Sequence, residues 1–261
     1  MTKKTPTIFI GHGSPMNALA DNDFTQRLTK LGGELESPKS ILMVSAHWET
    51  NGVSLVTGME KPKTIHDFYG FPKPLYQEQY PAPGSPALAK KVVSLLGDDH
   101  CQIDKSEWGL DHGTWSVLKF IFPKADIPIV QLSIDRTKGI DYHYFLAEKL
   151  ESLREEGVMI MGSGNIVHNL KLLDWDTSAK PHPWALEYDQ WIKEQLENKN
   201  YSKILSDYRN SESAKLSIPT LEHFLPLIYV LGASSKEDKL SFIFDEIQNA
   251  SIAMRSLKLG N

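Results

Sequence analysis

Short apolar runs rich in β-branched residues alternate along this chain with longer stretches of helical period, and few folds accommodate that order. Thr7–Ile10, Ile41–Ser45, Val53–Thr57, Ile127–Leu132, Val158–Met161 and Ser241–Phe244 have the length and composition of buried strands. Phe24–Leu31, Ser85–Leu96, Thr114–Phe120, Tyr142–Glu155, Trp184–Glu197 and Leu221–Leu231 repeat apolar residues at helical spacing. A strand followed by a helix and another strand returns the chain in the same direction, which builds a parallel sheet. Val53–Thr57 follows its predecessor too closely for such a crossover, so an antiparallel pair is expected there. The predicted fold is therefore α/β, with a central mixed, mostly parallel sheet flanked by helices. No internal repeat, low-complexity block or charged linker divides the 261 residues, and a single domain over 1–261 is expected.

Bulk properties remove several classes of function. At 41% hydrophobic and 23% charged residues the composition is that of a soluble globular protein. The net charge is -5, with lysines and arginines scattered and not gathered in runs that track phosphates, so nucleic acid is not an expected partner. The start, Met1-Thr2-Lys3-Lys4-Thr5-Pro6, leads into an apolar run too short for a signal-peptide core, and no stretch approaches bilayer length. A lone cysteine, Cys101, excludes an intramolecular disulfide and a cysteine-rich zinc site. Its neighbours Asp98, Asp99 and Asp104 disfavour a thiolate. A cytoplasmic protein without a membrane partner is expected, its chemistry carried by nine histidines. Nothing in the sequence reads out an oligomeric state.

Three histidines directly follow predicted strands: His12 in Gly11-His12-Gly13-Ser14-Pro15, His47 in Ser45-Ala46-His47-Trp48, and His168 in Gly162-Ser163-Gly164-Asn165-Ile166-Val167-His168. Open α/β sheets bind ligands at the carboxyl ends of their strands, where imidazoles distant in sequence can converge. One histidine after a strand is ordinarily structural; three in small-residue turns point to a site. His112 precedes a helix predicted from Thr114, and His223 opens another, with Thr220 as its expected N-cap. Glu222 and His223 are adjacent, about a quarter-turn apart on a helix, so one of the two is expected to face the site. His100, His143 and His182 read as solvated or core residues. His66 belongs to a segment over 59–84 rich in proline and aromatic residues, which reads either as a binding loop or lid or as a loop packing its own rings. Lys73 in that segment is a candidate for a substrate carboxylate.

Other chemistries fit poorly. The third glycine position of a dinucleotide loop after Gly11 is Met16, and Pro15 intrudes. No phosphate-binding G-x-x-x-x-G-K-[ST] occurs, and neither Ser14 nor Ser163 lies in G-x-S-x-G. Metal chemistry survives.

Six motifs occur in order: Gly11-His12-Gly13-Ser14-Pro15-Met16, Ser45-Ala46-His47-Trp48, Tyr80-Pro81-Ala82-Pro83-Gly84, Trp108-Gly109-Leu110-Asp111-His112-Gly113, Gly164-Asn165-Ile166-Val167-His168-Asn169 and Glu222-His223-Phe224-Leu225-Pro226-Leu227. On these the chain resembles the class III, LigB-like extradiol ring-cleavage dioxygenases, and within them the 4,5-DOPA extradiol dioxygenase branch, from about residue 7 to the C-terminus. The resemblance implies that His12, His47 and His223 hold one divalent metal. It implies that His168 is the acid/base residue, at times close enough to count as a ligand, and that His112 contacts substrate or dioxygen. Its partners would be a catecholic small molecule and O2, and its product a muconic semialdehyde. The wider family uses two histidines and a carboxylate, a set suited to Fe(II). Three neutral imidazoles also suit zinc, so Fe(II) is expected for ring cleavage and Zn(II) as purified. Two other readings compete: a zinc-dependent hydrolase on the same histidines, and a non-enzymatic, Memo-like binding protein on the same fold.

Overall fold

Continuous apolar runs without polar alternation belong to strands covered on both faces. A computed structural model, describing residues 4–105 and 107–260, shows that arrangement. The strands are β1 Thr7–Gly11, β2 Ser40–Thr50, β3 Ser54–Thr57, β4 Cys101–Asp104, β5 Ile129–Asp135, β6 Val158–Gly164, β7 Leu240–Phe244, β8 Ile247–Gln248, β9 Ile252–Ala253 and β10 Ser256–Leu259. The helices are α1 Asp23–Glu34, α2 Lys73–Gln77, α3 Pro86–Leu96, α4 His112–Ile121, α5 Ile140–Leu150, α6 Pro183–Glu197, α7 Tyr201–Asp207, α8 Glu212–Ser217 and α9 Leu225–Gly232. Among the described residues, eight strands form one sheet in the order β4-β3-β5-β2-β6-β1-β10-β7, and β8 and β9 form a small second one.

The four central strands β5, β2, β6 and β1 are mutually parallel, and β10 and β7 continue the sheet antiparallel. Alternate residues point to opposite faces. Phe9, Leu42, Val44 and Ile160 enter one core with α3, α5, α6 and α9, while Ile8, Ile10, Ile41, Met43 and Met161 enter another with α1 and α4. The result is a single α/β domain with a mixed, mostly parallel sheet between helical layers, as the sequence predicts.

Two local expectations are corrected. The antiparallel partner of β3 is β5, at Val56↔Leu132, and not β2. Both edges of β2 are already occupied by β5 and β6, so the chain passes beyond β5 before it pairs. Thr220 does not cap a helix. Its hydroxyl donates to Glu222 Oε1 at 2.8 Å, and α9 begins later, at Leu225. Pro226, which lacks an N–H, is tolerated in that first turn.

Strand β2 runs past its predicted end, and the extension matters. Between Val44↔Leu132 and Glu49↔Ile134 it advances five residues while β5 advances two. Such a bulge re-aims side chains at the sheet edge, and Ser45, Ala46, His47 and Trp48 lie within it.

Candidate metal centre

The carboxyl ends of β2, β6 and β1 are neighbours in the sheet, and the histidines leave from that edge. His12 follows β1, its backbone N–H donating to Gly164 O at 3.1 Å. The next residue, Gly13, has φ +62°, a left-handed conformation that favours glycine and turns the chain back across the strand ends. His47 stands on the bulge of β2. His223 lies in the turn before α9, its carbonyl accepting from Asn165 N–H at 2.8 Å, one residue beyond β6. His112 is the first residue of α4, whose N-cap, Asp111, accepts from Thr114 N–H and takes a 2.7 Å hydrogen bond from Ser45. That bond ties the bulge to the helix.

One nitrogen from each of His12, His47 and His223 lies within 4.8 Å of the others. The Nε2 atoms of His12 and His47 are 3.0 Å apart. Two imidazole nitrogens on one Zn(II) stand about 3–3.4 Å apart. The outward nitrogens are each accounted for. His12 Nδ1 is 2.9 Å from Ser163 Oγ, His47 Nδ1 is 3.5 Å from Asp67 Oδ2, and His223 Nδ1 is 3.2 Å from Glu222 Oε1. A metal-ligating histidine commonly holds its second nitrogen against an oxygen in this way, fixing ring and tautomer. The donor set therefore fits a divalent ion. Burial, then the charge of the neighbouring histidines, pushes His12 and His47 well below the usual histidine range, which favours the neutral imidazole a metal requires.

His168 falls outside that trio. It stacks on His223 with ring centroids 3.5 Å apart and planes 8° apart, and forms a second close group with Glu222 and His223. Its pKa is lowered by burial first and by His223 second. Of the adjacent pair, His223 belongs to the trio and Glu222 stands behind it. Burial alone would raise the Glu222 carboxyl, but hydrogen bonds from His223 and Thr220 hold it at about 2. His112 packs on His47, with ring centroids 3.9 Å apart.

The remaining histidines stay apart from the cluster. His66 Nε2 is 3.0 Å from Glu78 O, His100 bonds Tyr142, His182 bonds Leu172 O, and buried His143 bonds Tyr229. Cys101 is buried, and burial pushes its thiol up to about 12. Lys73 is exposed at the start of α2. No described helix is long and apolar enough to cross a membrane.

Three residues that hold the site went unread in the sequence: Asp67, Ser163 and, as a supporting carboxylate, Glu222. Asp67 had a signal, since it sits in the proline- and aromatic-rich segment. Ser163 becomes legible only when β6 is paired with β1, which sets Ser163 opposite Ile10, two residues before His12.

Known proteins resemble this chain over nearly its whole length. The family described as "Catalytic LigB subunit of aromatic ring-opening dioxygenase" matches residues 6–256. A 4,5-DOPA dioxygenase extradiol of Escherichia coli (strain K12) is 46% identical over 259 residues, 98% of this chain and 95% of the relative. One from Mirabilis jalapa is 40% identical, over 91% of this chain and 90% of its own length. The crystal structure of an uncharacterized protein from Escherichia coli K12 superposes with TM-score 0.86 at 42% identity, covering 98% of this chain and all of that one. With the fold, the ordered motifs and near-complete coverage in agreement, this chain belongs to the LigB family of aromatic ring-opening dioxygenases.

Proposed function

We propose that residues 1–261 form one catalytic domain that opens the ring of a catechol, DOPA or a close analogue, with O2 to give a muconic semialdehyde. One observation carries this reading: His12, His47 and His223 turn one nitrogen each toward a common point and hold the other against an oxygen. We assign these three as the holders of one divalent metal, Fe(II) for turnover, with Zn(II) expected in protein purified in air. Such an ion, when bound, supplies Lewis acidity toward both catechol oxygens and an electronic path between ring and O2.

The chain's own groups do the rest. A catechol must give up its hydroxyl protons as it binds, and we assign the imidazole of His168 to accept one and return it as the ring opens. Its stacking on His223 keeps that ring beside the trio. His112 borders the space next to His47, where it contacts substrate or O2. Phe68 stands edge-on to His112, 5.5 Å between centroids, and places an apolar wall of the 59–84 segment there. Such walls exclude water and strengthen electrostatic interactions inside a site. The reading includes a cytoplasmic location.

The test is oxygen uptake by Fe(II)-loaded protein against DOPA and a panel of simple catechols, with and without O2. Stoichiometric uptake and a yellow product that fail to appear anaerobically are expected. Turnover that persists without O2 would indicate hydrolysis, and metal binding without uptake on any catechol would indicate a binding protein; either overturns the proposal.

A further inference from the structure

We propose that Asp67, carried by the proline- and aromatic-rich segment, is the positioning residue for His112: it holds the imidazole proton on Nδ1 and leaves Nε2 as an acceptor on the opposite side of the ring. The inference rests on the ring-cleavage reading for what that acceptor does, and on geometry alone for the tautomer.

Both oxygens of Asp67 are engaged by one residue. Oδ1 accepts the backbone N–H of His112 at 2.8 Å, and Oδ2 lies 2.8 Å from His112 Nδ1. An ionised carboxylate only accepts, so the hydrogen in the second bond belongs to Nδ1. A neutral imidazole carries one such hydrogen, which makes Nε2 the acceptor. Oδ2 is also 3.5 Å from His47 Nδ1, so one oxygen faces the outward nitrogen of a proposed ligand and that of His112 together.

A merely structural role explains less. The N–H of His112 is one of the donors a helix start leaves without an intrahelical acceptor, and an anion there is favourable. Yet α4 already has its cap, because Asp111 accepts from Thr114 N–H. Capping gives no reason for Oδ2 to meet the ring. Asp67 is itself held from both sides. Ile65 accepts from Trp115 Nε1 at 2.8 Å, its own N–H donates to Leu110 O at 2.8 Å, and Phe68 packs on His112. The segment's docking and the orientation of His112 are thus one event. A substrate hydroxyl beside His112 would meet a lone pair, whereas the other tautomer would present an N–H.

Asp67→Asn separates the alternatives. Its amide oxygen can still accept from His112 N–H, but its NH2 would face Nδ1 and drive the proton to Nε2. The measurement is a long-range ¹H–¹⁵N correlation spectrum of Zn(II)-loaded, ¹⁵N-histidine protein, with the His112 signals assigned by their loss in His112→Gln. The parent should show His112 protonated at Nδ1, and Asp67→Asn should show the proton at Nε2. Fe(II)-loaded Asp67→Asn should keep its metal stoichiometry, Tm and KM for DOPA while kcat falls about 10²–10⁴-fold, the range for a misplaced tautomer or lost proton transfer. An Nε2-protonated His112 in the parent overturns the proposal even if the variant fails to fold. So does a variant with parental kcat, or one that loses activity only in proportion to lost metal, which would place the effect at His47. If the parent consumes no O2 with any catechol, the ring-cleavage reading falls, while the spectrum still decides the tautomer.

Discussion

Gly164 ends β6, and a side chain there would collide with the turn that carries His223. A Cβ on Gly164 would lie 2.2 Å from the His223 carbonyl oxygen and 3.1 Å from its carbonyl carbon, where ordinary contact begins at 3.4 Å. Gly164→Ala therefore requires the two backbones to part by about 1 Å, and neither yields freely. Gly164 is paired with Gly11 of β1, and the His223 carbonyl is held by Asn165 N–H at 2.8 Å. The turn should move outward and take the His223 imidazole away from His12 and His47. Overpacking of this kind costs about 1–3 kcal/mol, a fall in Tm of about 2–12 °C for a chain this long. A displacement near 1 Å costs about 10²-fold in rate. The assay is metal per chain after loading and dialysis, with oxygen uptake on DOPA and a thermal melt on the same sample. A folded Gly164→Ala with parental metal stoichiometry, and uptake within about threefold of parent, would refute the reasoning, because His223 would then not be held in place by β6.

Three further outcomes follow from the same geometry. His168→Ala should keep its metal while oxygen uptake falls about 10²–10⁴-fold; parental uptake would remove His168 from the proton-transfer role. Glu222→Ala leaves His223 Nδ1 without its 3.2 Å partner and should weaken metal binding about 10–100-fold in a chelator competition; unchanged affinity would show that Glu222 does not support the ligand. Away from the site, fully buried Arg154 is paired with Asp238, whose carboxyl burial alone would raise but which hydrogen bonds from Arg154 and Ser235 hold below its usual value. Its folded pKa is depressed, so the stabilisation is present above the unfolded pKa of about 3.9 and is lost as pH falls through the folded value. Asp238→Asn should therefore cost about 1–3 kcal/mol at pH 7 in denaturant melts, with the gap to parent closing below about pH 4; a gap that stays constant with pH would refute the linkage.

The sequence exposes those parts of the fold that physics writes locally. β1, β2 and β6 are buried on both faces, so they read as unbroken apolar runs, and the histidines after them mark the sheet edge. β4, as Cys101-Gln102-Ile103-Asp104, and β10, as Ser256-Leu257-Lys258-Leu259, are short and carry polar residues, so neither announces itself, although β10 joins β1 to β7. The partner of β3 was illegible because spacing reports how closely two strands follow in the chain and not which edge is free. The bulge that aims His47 depends on register with β5, a relation between segments about 90 residues apart. The Glu222 and His223 alternatives were undecidable from helical spacing because the residues lie in a turn before α9. Asp67 went unassigned for the same kind of reason: its role depends on α4, 45 residues away.

Position and protonation in this site are set by different contacts. The strand ends and the α9 turn set where the imidazoles sit, and a rigid sheet does this well. An oxygen stands within hydrogen-bond distance behind three of the rings: Ser163 from β6 for His12, Glu222 from the turn for His223, and Asp67 from the segment for His112. The two contributions can be perturbed separately. Gly164→Ala moves a nitrogen, so metal and activity should fall together. Asp67→Asn moves a proton, so activity should fall while the metal stays. If the two variants lost metal and rate in the same ratio, Asp67 would be one more support for the ligands, and His112 would have no orientation of its own to protect.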